Sequence, residues 1–209
     1  METRRVYLYV FNTMSDWEYG YLIAELHTRR YFKKDTAPLK VVTVGADKEM
    51  VTSMGGLSIQ PDISIEECSL KSKDLLILPG GNTWREDIHQ PIMEKTGDAL
   101  QQGTIVAAIC GATIALANRG YLDKRMHTSN NLDYLKMVCP NYKGEKLYEE
   151  GPAVADENLV TASGVAPLEF AREVIKRLDV FAPDTLHSWY KLNKTQEPEH
   201  FFHLMNSME

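Results

Sequence analysis

The chain has 209 residues, 44% hydrophobic and 25% charged, the proportions of a globular domain with a large core; wholesale disorder is excluded. A formal net charge of −6 argues against a nucleic-acid surface, which needs a basic stripe. Cys68, Cys110 and Cys139 are odd in number and lack metal-ligand spacing, so neither a disulfide scaffold nor a metal site is expected.

The N-terminal "METRRVYLYVFNTM" places positive charge before an apolar stretch. That stretch holds two tyrosines and no small-residue cleavage site, so it reads as a strand over 6–11, not a signal peptide. No run approaches the ~18 apolar residues of a membrane span. A cytoplasmic protein with no membrane partner is expected. Tyr19, Leu22, Ile23, Leu26 and Arg30 have helical spacing, which predicts a helix to about residue 30. Residues 39–45 form the next strand, and 50–62 a hairpin around Gly55 and Gly56. "DLLILPGG" (74–81) is a buried strand ending in a turn, followed by a helix over 92–102. Strand 104–109 leads into helix 111–118, and a short helix over 130–138 stops at Pro140. Residues 153–163 read as a second hairpin. Leu168, Ala171, Val174, Ile175 and Leu178 form a helical stripe, and the tail from Asp184 is helical. The expectation is one domain over 1–209, with a core of about 4–180 and a helical extension of about 184–209.

Strands alternating with helices indicate a mostly parallel sheet covered on both faces. Ligands bind such sheets at the carboxyl ends of the strands. Cys110 falls there, between a β-branched strand and a helix. Its frame, Ala108-Ile109-Cys110-Gly111-Ala112, has the small residues that a nucleophile elbow requires. The unpaired N–H groups of the following helix would lower the thiol pKa, and the Gly111 amide could help to hold an oxyanion. Cys68 lies in no elbow and Cys139 precedes a proline; both are read as structural. His200 and His203, three apart, read as a polar helix face.

At this point a family resemblance becomes specific. "SDWEYGYLIAEL", "LLILPGG", "AAICGATIALANRGYLDKR" and "NLVTASGVAPLEFAREVI" together resemble the DJ-1/PfpI family of the class I glutamine amidotransferase-like superfamily, over roughly residues 4–180. The resemblance implies an α/β, flavodoxin-like three-layer sandwich. It also implies an acidic residue beside the cysteine, for which spacing favours Glu18, with Asp16 as a rival. It assigns the turn at Gly80 and Gly81 to substrate binding, with the Gly81 amide in an oxyanion role. In the PfpI protease branch a histidine directly follows the cysteine; here that position is Gly111, so the protease dyad is missing. Other branches bring a histidine from beyond the elbow helix. That position falls near Asn130, while the available histidine is His127; either could partner the thiol, or neither. The His-x-Glu of glutamine amidotransferases has no match in "SGVAPLEF". His187, His200 and His203 cannot be brought to the site by sequence alone. Trp17, Tyr19 and Trp84 could line a pocket or fill the core.

Two function classes follow. The first is a hydrolase or lyase that attacks a small carbonyl or amide substrate through a Cys110 thiolate, without a cofactor and as a homodimer or larger assembly. The second is a redox or stress protein that oxidises Cys110 beside Glu18. A histidine within reach of Cys110 would favour the first; its absence, with a short Cys110–Glu18 contact, would favour the second or an inactive relic.

Overall fold

The computed structural model describes residues 3–207; Met1 and Glu2 of the N-terminal segment, and 208–209 of the expected tail, lie outside the described residues. Strand β1 (Arg4–Tyr9) leads to α1 (Gly20–Thr28) and β2 (Leu39–Gly45). Short strands β3 (Val51–Thr52), β4 (Ser58–Ile59) and β5 (Ile63–Ser64) precede β6 (Leu75–Leu78) and α2 (Gln90–Gln102). Then come β7 (Ile105–Ile109), α3 (Gly111–Asn118), α4 (Leu132–Val138), and the hairpin β8 (Ala153–Asp156) and β9 (Leu159–Ala162). Helices α5 (Pro167–Leu178), α6 (Pro183–Thr195) and α7 (Pro198–Asn206) close the chain.

Strand β1 starts two residues earlier than its apolar run suggests. Arg4 and Arg5 find partners in Leu39 and Lys40 of β2, while Val10 and Phe11 are buried beyond the last paired residue, Tyr9. Pairing, not hydrophobicity, sets a strand's ends. The two-residue β5 escapes a reading of the sequence because so short a run has no period. The hairpin at 50–62 forms, but as a separate two-stranded sheet.

The main sheet has the order β5-β2-β1-β6-β7-β9-β8, parallel throughout except where β8 meets β9. Its inner strands follow the 2-1-3-4-5 order of flavodoxin-like folds, with the switch point between β1 and β6. Every residue of β6 and β7 is buried, as central strands of a covered parallel sheet must be. The ladders align their carboxyl ends: Leu78 lies beside Ala108, and Ile109 beside Ala162. The loops after β1, β6, β7 and β9 therefore meet at one edge of the sheet.

Helices α1 and α5 pack together, α6 packs on α5, and α7 on α6. The link is anchored by Trp189, which is 1% exposed and donates its indole N–H to Glu25 Oε1 at 3.0 Å. Glu25 is itself buried and also takes both arms of Arg30. A buried carboxylate persists only when so paired. Trp189→Ala should destabilise the protein by about 3–5 kcal/mol in urea unfolding, the usual penalty for emptying a large aromatic site. A shift below about 1 kcal/mol would mean that α6 is not integral to the core.

Candidate active site

Cys110 is the residue between β7 and α3, and its backbone sits at φ 58, ψ −123. A non-glycine residue there carries strain of about 1–3 kcal/mol unless its surroundings hold it. They do. Cys110 N–H donates to Ala162 O at 3.0 Å. Its carbonyl accepts from Thr113 N at 3.1 Å and Thr113 Oγ1 at 2.6 Å, and Thr113 is tied to Ser129 Oγ at 2.7 Å.

Three glycines make room for the elbow. A Cβ on Gly80 would stand 2.7 Å from Cys110 Cβ, and one on Gly164 would stand 2.6 Å from its Sγ. One on Gly111 would lie 3.0 Å from both Gly81 O and Trp84 Cδ1. Gly164 had not been singled out, yet its signal was present: like Gly80, it follows closely on a buried strand at the sheet edge.

Glu18 is 1% exposed and stands against Cys110. Its Oε2 accepts from Gly80 N–H at 2.5 Å, and Oε1 is buried without a hydrogen-bond partner of ordinary geometry. Burial pushes the carboxyl up to about 7, against the pull of Gly80 N–H, the Cys110 thiol and the Ser15 hydroxyl. Asp16 lies elsewhere: its Oδ2 accepts from Gly55 N–H of the separate hairpin.

The thiol behaves differently from the expectation set by helix dipoles. Burial pushes Cys110 up; the Asn130 amide opposes this, the Glu18 carboxylate adds to it, and Gly111 N–H again opposes. Lost hydration outweighs the first-turn amides, so the resting group is a thiol. Asn130 Nδ2 donates to Sγ at 3.3 Å, while its Oδ1 accepts from Gly164 N at 2.8 Å and Ser163 Oγ at 3.4 Å. Those two donors fix the amide's orientation.

His127 takes no part in this cluster. It is fully buried, with Nδ1 at 2.7 Å from Arg125 O and Nε2 at 2.6 Å from Tyr142 Oη. A carbonyl accepts only, so Nδ1 carries the proton and Nε2 accepts from the phenol. Both nitrogens are spent on holding the 125–130 segment, and burial lowers the ring's pKa. Of the two candidates for the thiol's partner, Asn130 and not His127 contacts the sulfur in this structure.

The Gly80 N–H is directed at Glu18 Oε2 in this structure. Gly81 pairs with Met14 in an isolated antiparallel bridge, and its backbone nitrogen lies 3.6 Å from where a Cβ on Gly111 would stand. The backbones of Gly81 and Gly111 thus run close together. A cleft of about 380 Å³, lined by Asn130, Tyr148, Ser163, Ala166, Glu169 and Lys194, meets the cluster at Asn130; Cys110 and the two glycines are not among its lining residues. Trp84 is buried, whereas Trp17 is half exposed and donates to Gly164 O at 3.2 Å.

Cys68 and Cys139 are buried and pushed up to about 11 by desolvation, the behaviour of inert core thiols. His187, His200 and His203 meet one another on α6 and α7. His200 is buried, not part of a polar face, and sits 3.4 Å from Glu197 and 3.7 Å from Glu199. Among the described residues this is the one group of three potential metal donors, and it does not include Cys110. No described helix is long and apolar enough to cross a membrane.

A flavodoxin-like sheet with a strained cysteine elbow at its carboxyl edge and a buried acid beside it defines a class of cysteine-elbow proteins. A model of the DJ-1/PfpI family matches residues 4–177, and the chain belongs to that family. It is 75% identical over 208 residues to "Uncharacterized protease YoaZ" of Bacillus subtilis, spanning 100% of this chain and 99% of that protein. The crystal structure of the thiJ/pfpI family protein from Bacillus anthracis superposes with a TM-score of 0.97 at 75% identity, covering 99% of this chain and 98% of the other. "Glutathione-independent glyoxalase DJR-1.2" of Caenorhabditis elegans is 26% identical over 155 residues, 73% of this chain and 80% of that protein.

Two substitutions test the geometry. An unfolded glutamate ionises near 4.5 but Glu18 only near 7, so stability falls as pH rises between them, by up to about 3 kcal/mol. Glu18→Gln removes this loss. Its melting temperature relative to wild type should climb steadily from pH 4.5 to pH 7.5; a flat difference would show that Glu18 is ionised throughout. Gly164→Ala drives a methyl onto the sulfur and should slow iodoacetamide labelling of Cys110 at least roughly 10-fold, at about 1–3 kcal/mol of lost stability. Unchanged labelling would mean that the loop yields.

Proposed function

We propose that the chain is a Cys110-dependent enzyme acting on a small carbonyl or amide compound, with Glu18 as the group that takes and returns the proton. The observation that carries this is the contact of a strained, half-buried thiol with a carboxyl whose pKa lies near 7. A base works best when its pKa is close to the working pH, and Glu18 at about 7 meets that condition.

The first step needs only these groups. The sulfur attacks the carbonyl carbon and an S–C bond forms. The thiol proton passes to the Glu18 carboxylate, and the carbonyl π electrons move to oxygen. Gly81 and Gly111 N–H groups hold the resulting oxyanion, and Asn130 steadies the sulfur. With an amide, the C–N bond then breaks, the amine leaves with the proton from Glu18, and water hydrolyses the thioester. With a 2-oxoaldehyde, the adduct is a hemithioacetal.

The cleft of about 380 Å³ that meets the cluster at Asn130 is of a size that takes a metabolite. The word "protease" in the name of the Bacillus subtilis relative is therefore the weaker guide, and "glyoxalase" in that of the nematode relative the better one. The reading includes a cytoplasmic setting, in keeping with three free thiols, and a homodimer or larger assembly, for which Phe201, Phe202 and Met205 offer exposed apolar surface. A second reading has its own support. Asn130, not a histidine, contacts the sulfur, which suits a thiol kept for oxidation to a sulfinic acid.

Turnover of methylglyoxal and of small aryl amides by the purified protein separates the two. Cys110→Ser should abolish turnover. Glu18→Gln should reduce it at least roughly 100-fold, the usual contribution of a general base, and should move the midpoint of iodoacetamide labelling to lower pH by removing a negative charge near sulfur. If wild type and Cys110→Ser are equally inactive, and dilute peroxide adds two oxygens to Cys110 alone, the redox reading replaces the enzymatic one.

A further inference from the structure

One buried histidine has no part in the steps above. His89, just ahead of α2, is 2% exposed. Its Nδ1 lies 2.9 Å from the Tyr9 hydroxyl of β1, and its Nε2 lies 3.0 Å from the Thr83 hydroxyl. A neutral imidazole offers one donor and one acceptor, which suits the buried Tyr9 hydroxyl on one side and the part-buried Thr83 hydroxyl on the other. Burial keeps it neutral by pushing its pKa down to about 4.

Two rings stand between His89 and the site. The Trp84 ring is 4.6 Å away, tilted by 31°, and Phe11 is 4.8 Å away, edge-on. Trp84 donates to Pro79 O at 2.8 Å, and its Cδ1 would touch a Cβ on Gly111 at 3.0 Å. A Cβ on Gly81 would stand 2.5 Å from Phe11 Cε2. Gly81 therefore rests on one ring, Gly111 on the other, and His89 contacts both. Thr83 adds a direct tie to the loop that carries Gly81.

We propose that His89 is a positioning residue for the Gly81 and Gly111 amides: by bracing Phe11 and Trp84 and tying Thr83 to Tyr9, it sets the gap between the two N–H groups. The inference rests on the reading that these amides hold a substrate oxygen. An apolar residue of similar size would fill the space but leave Tyr9 and Thr83 without partners. Those hydroxyls would turn toward new acceptors, and the 81–84 turn would shift with them.

The test compares His89→Phe, which keeps the ring, with His89→Gln, which keeps a donor and an acceptor. Three readouts are taken: the amide resonances of Gly81 and Gly111, kcat and KM for Cys110-dependent loss of methylglyoxal, and the rate of iodoacetamide alkylation. Alkylation uses the sulfur but creates no oxyanion. His89→Phe should move both resonances and lower kcat roughly 10- to 100-fold, as a misplaced oxyanion donor does. KM and alkylation should stay within about twofold, and His89→Gln should recover most of the loss. Unmoved resonances in His89→Phe, or turnover and alkylation falling by the same factor, would overturn the proposal. Should His89→Phe fail to fold, Thr83→Val removes one hydroxyl and must displace the same two resonances. If the wild-type protein turns over no carbonyl compound, the proposed function fails, and the resonances alone decide the role of His89.

Discussion

The backbone of Cys110 lies where an L-residue is strained, and the rest of the site follows from that one torsion. A positive φ throws the side chain above the sheet edge and leaves no room for Cβ atoms beside it. Glycines at 80, 111 and 164 are the consequence, since each would otherwise drive a carbon to within 3.0 Å of a neighbour in the cluster. The strain is held by bonds from both sides: Ala162 of the adjacent strand, and Thr113 with Ser129 from the helix and the segment after it. A parallel sheet is suited to this task, because its ladders bring four strand ends to one line.

The electrostatics depend on the same crowding. Glu18 and Cys110 are both taken out of water, and both are pushed toward their neutral forms. Two acids in contact titrate as a unit, so the proton between them is shared property and not a feature of either residue alone. Gly80 N–H and Asn130 Nδ2 each favour one of the two anions, and each only partly offsets the burial that opposes it. His127 stands apart from this pair, its Nε2 bonded to the Tyr142 hydroxyl.

Around this centre the protein has two supports of different kind. One is aromatic and lies beneath the glycine turns, where Phe11, Trp84 and His89 pack ring against ring. The other is the buried Glu25, which joins α1 to α6 through Trp189 and to its own helix end through Arg30. The first is built to hold backbone amides in place. The second secures α6, which lies beyond the part of the chain that the family match covers and which brings Lys194 to the rim of the cleft.

Much of the architecture was legible in the sequence because it is local. Val, Ile and Leu runs bounded by glycine mark β2, β6 and β7, and the stripe from Leu168 to Leu178 marks α5; short-range sterics and burial decide such patterns. The elbow was legible too, since small residues between strand and helix admit few backbone paths. What the sequence could not supply were relations between distant segments. Whether Asp16 or Glu18 faces the sulfur depends on a half-turn of a loop. Whether His127 or Asn130 reaches it depends on which way a short segment lies against β9. The rise of the Cys110 pKa depends on how much water the fold removes. Periodicity and spacing state what each residue is able to do; the packing of four loops at one sheet edge decides which of them meet, because only there do desolvation and contact act together.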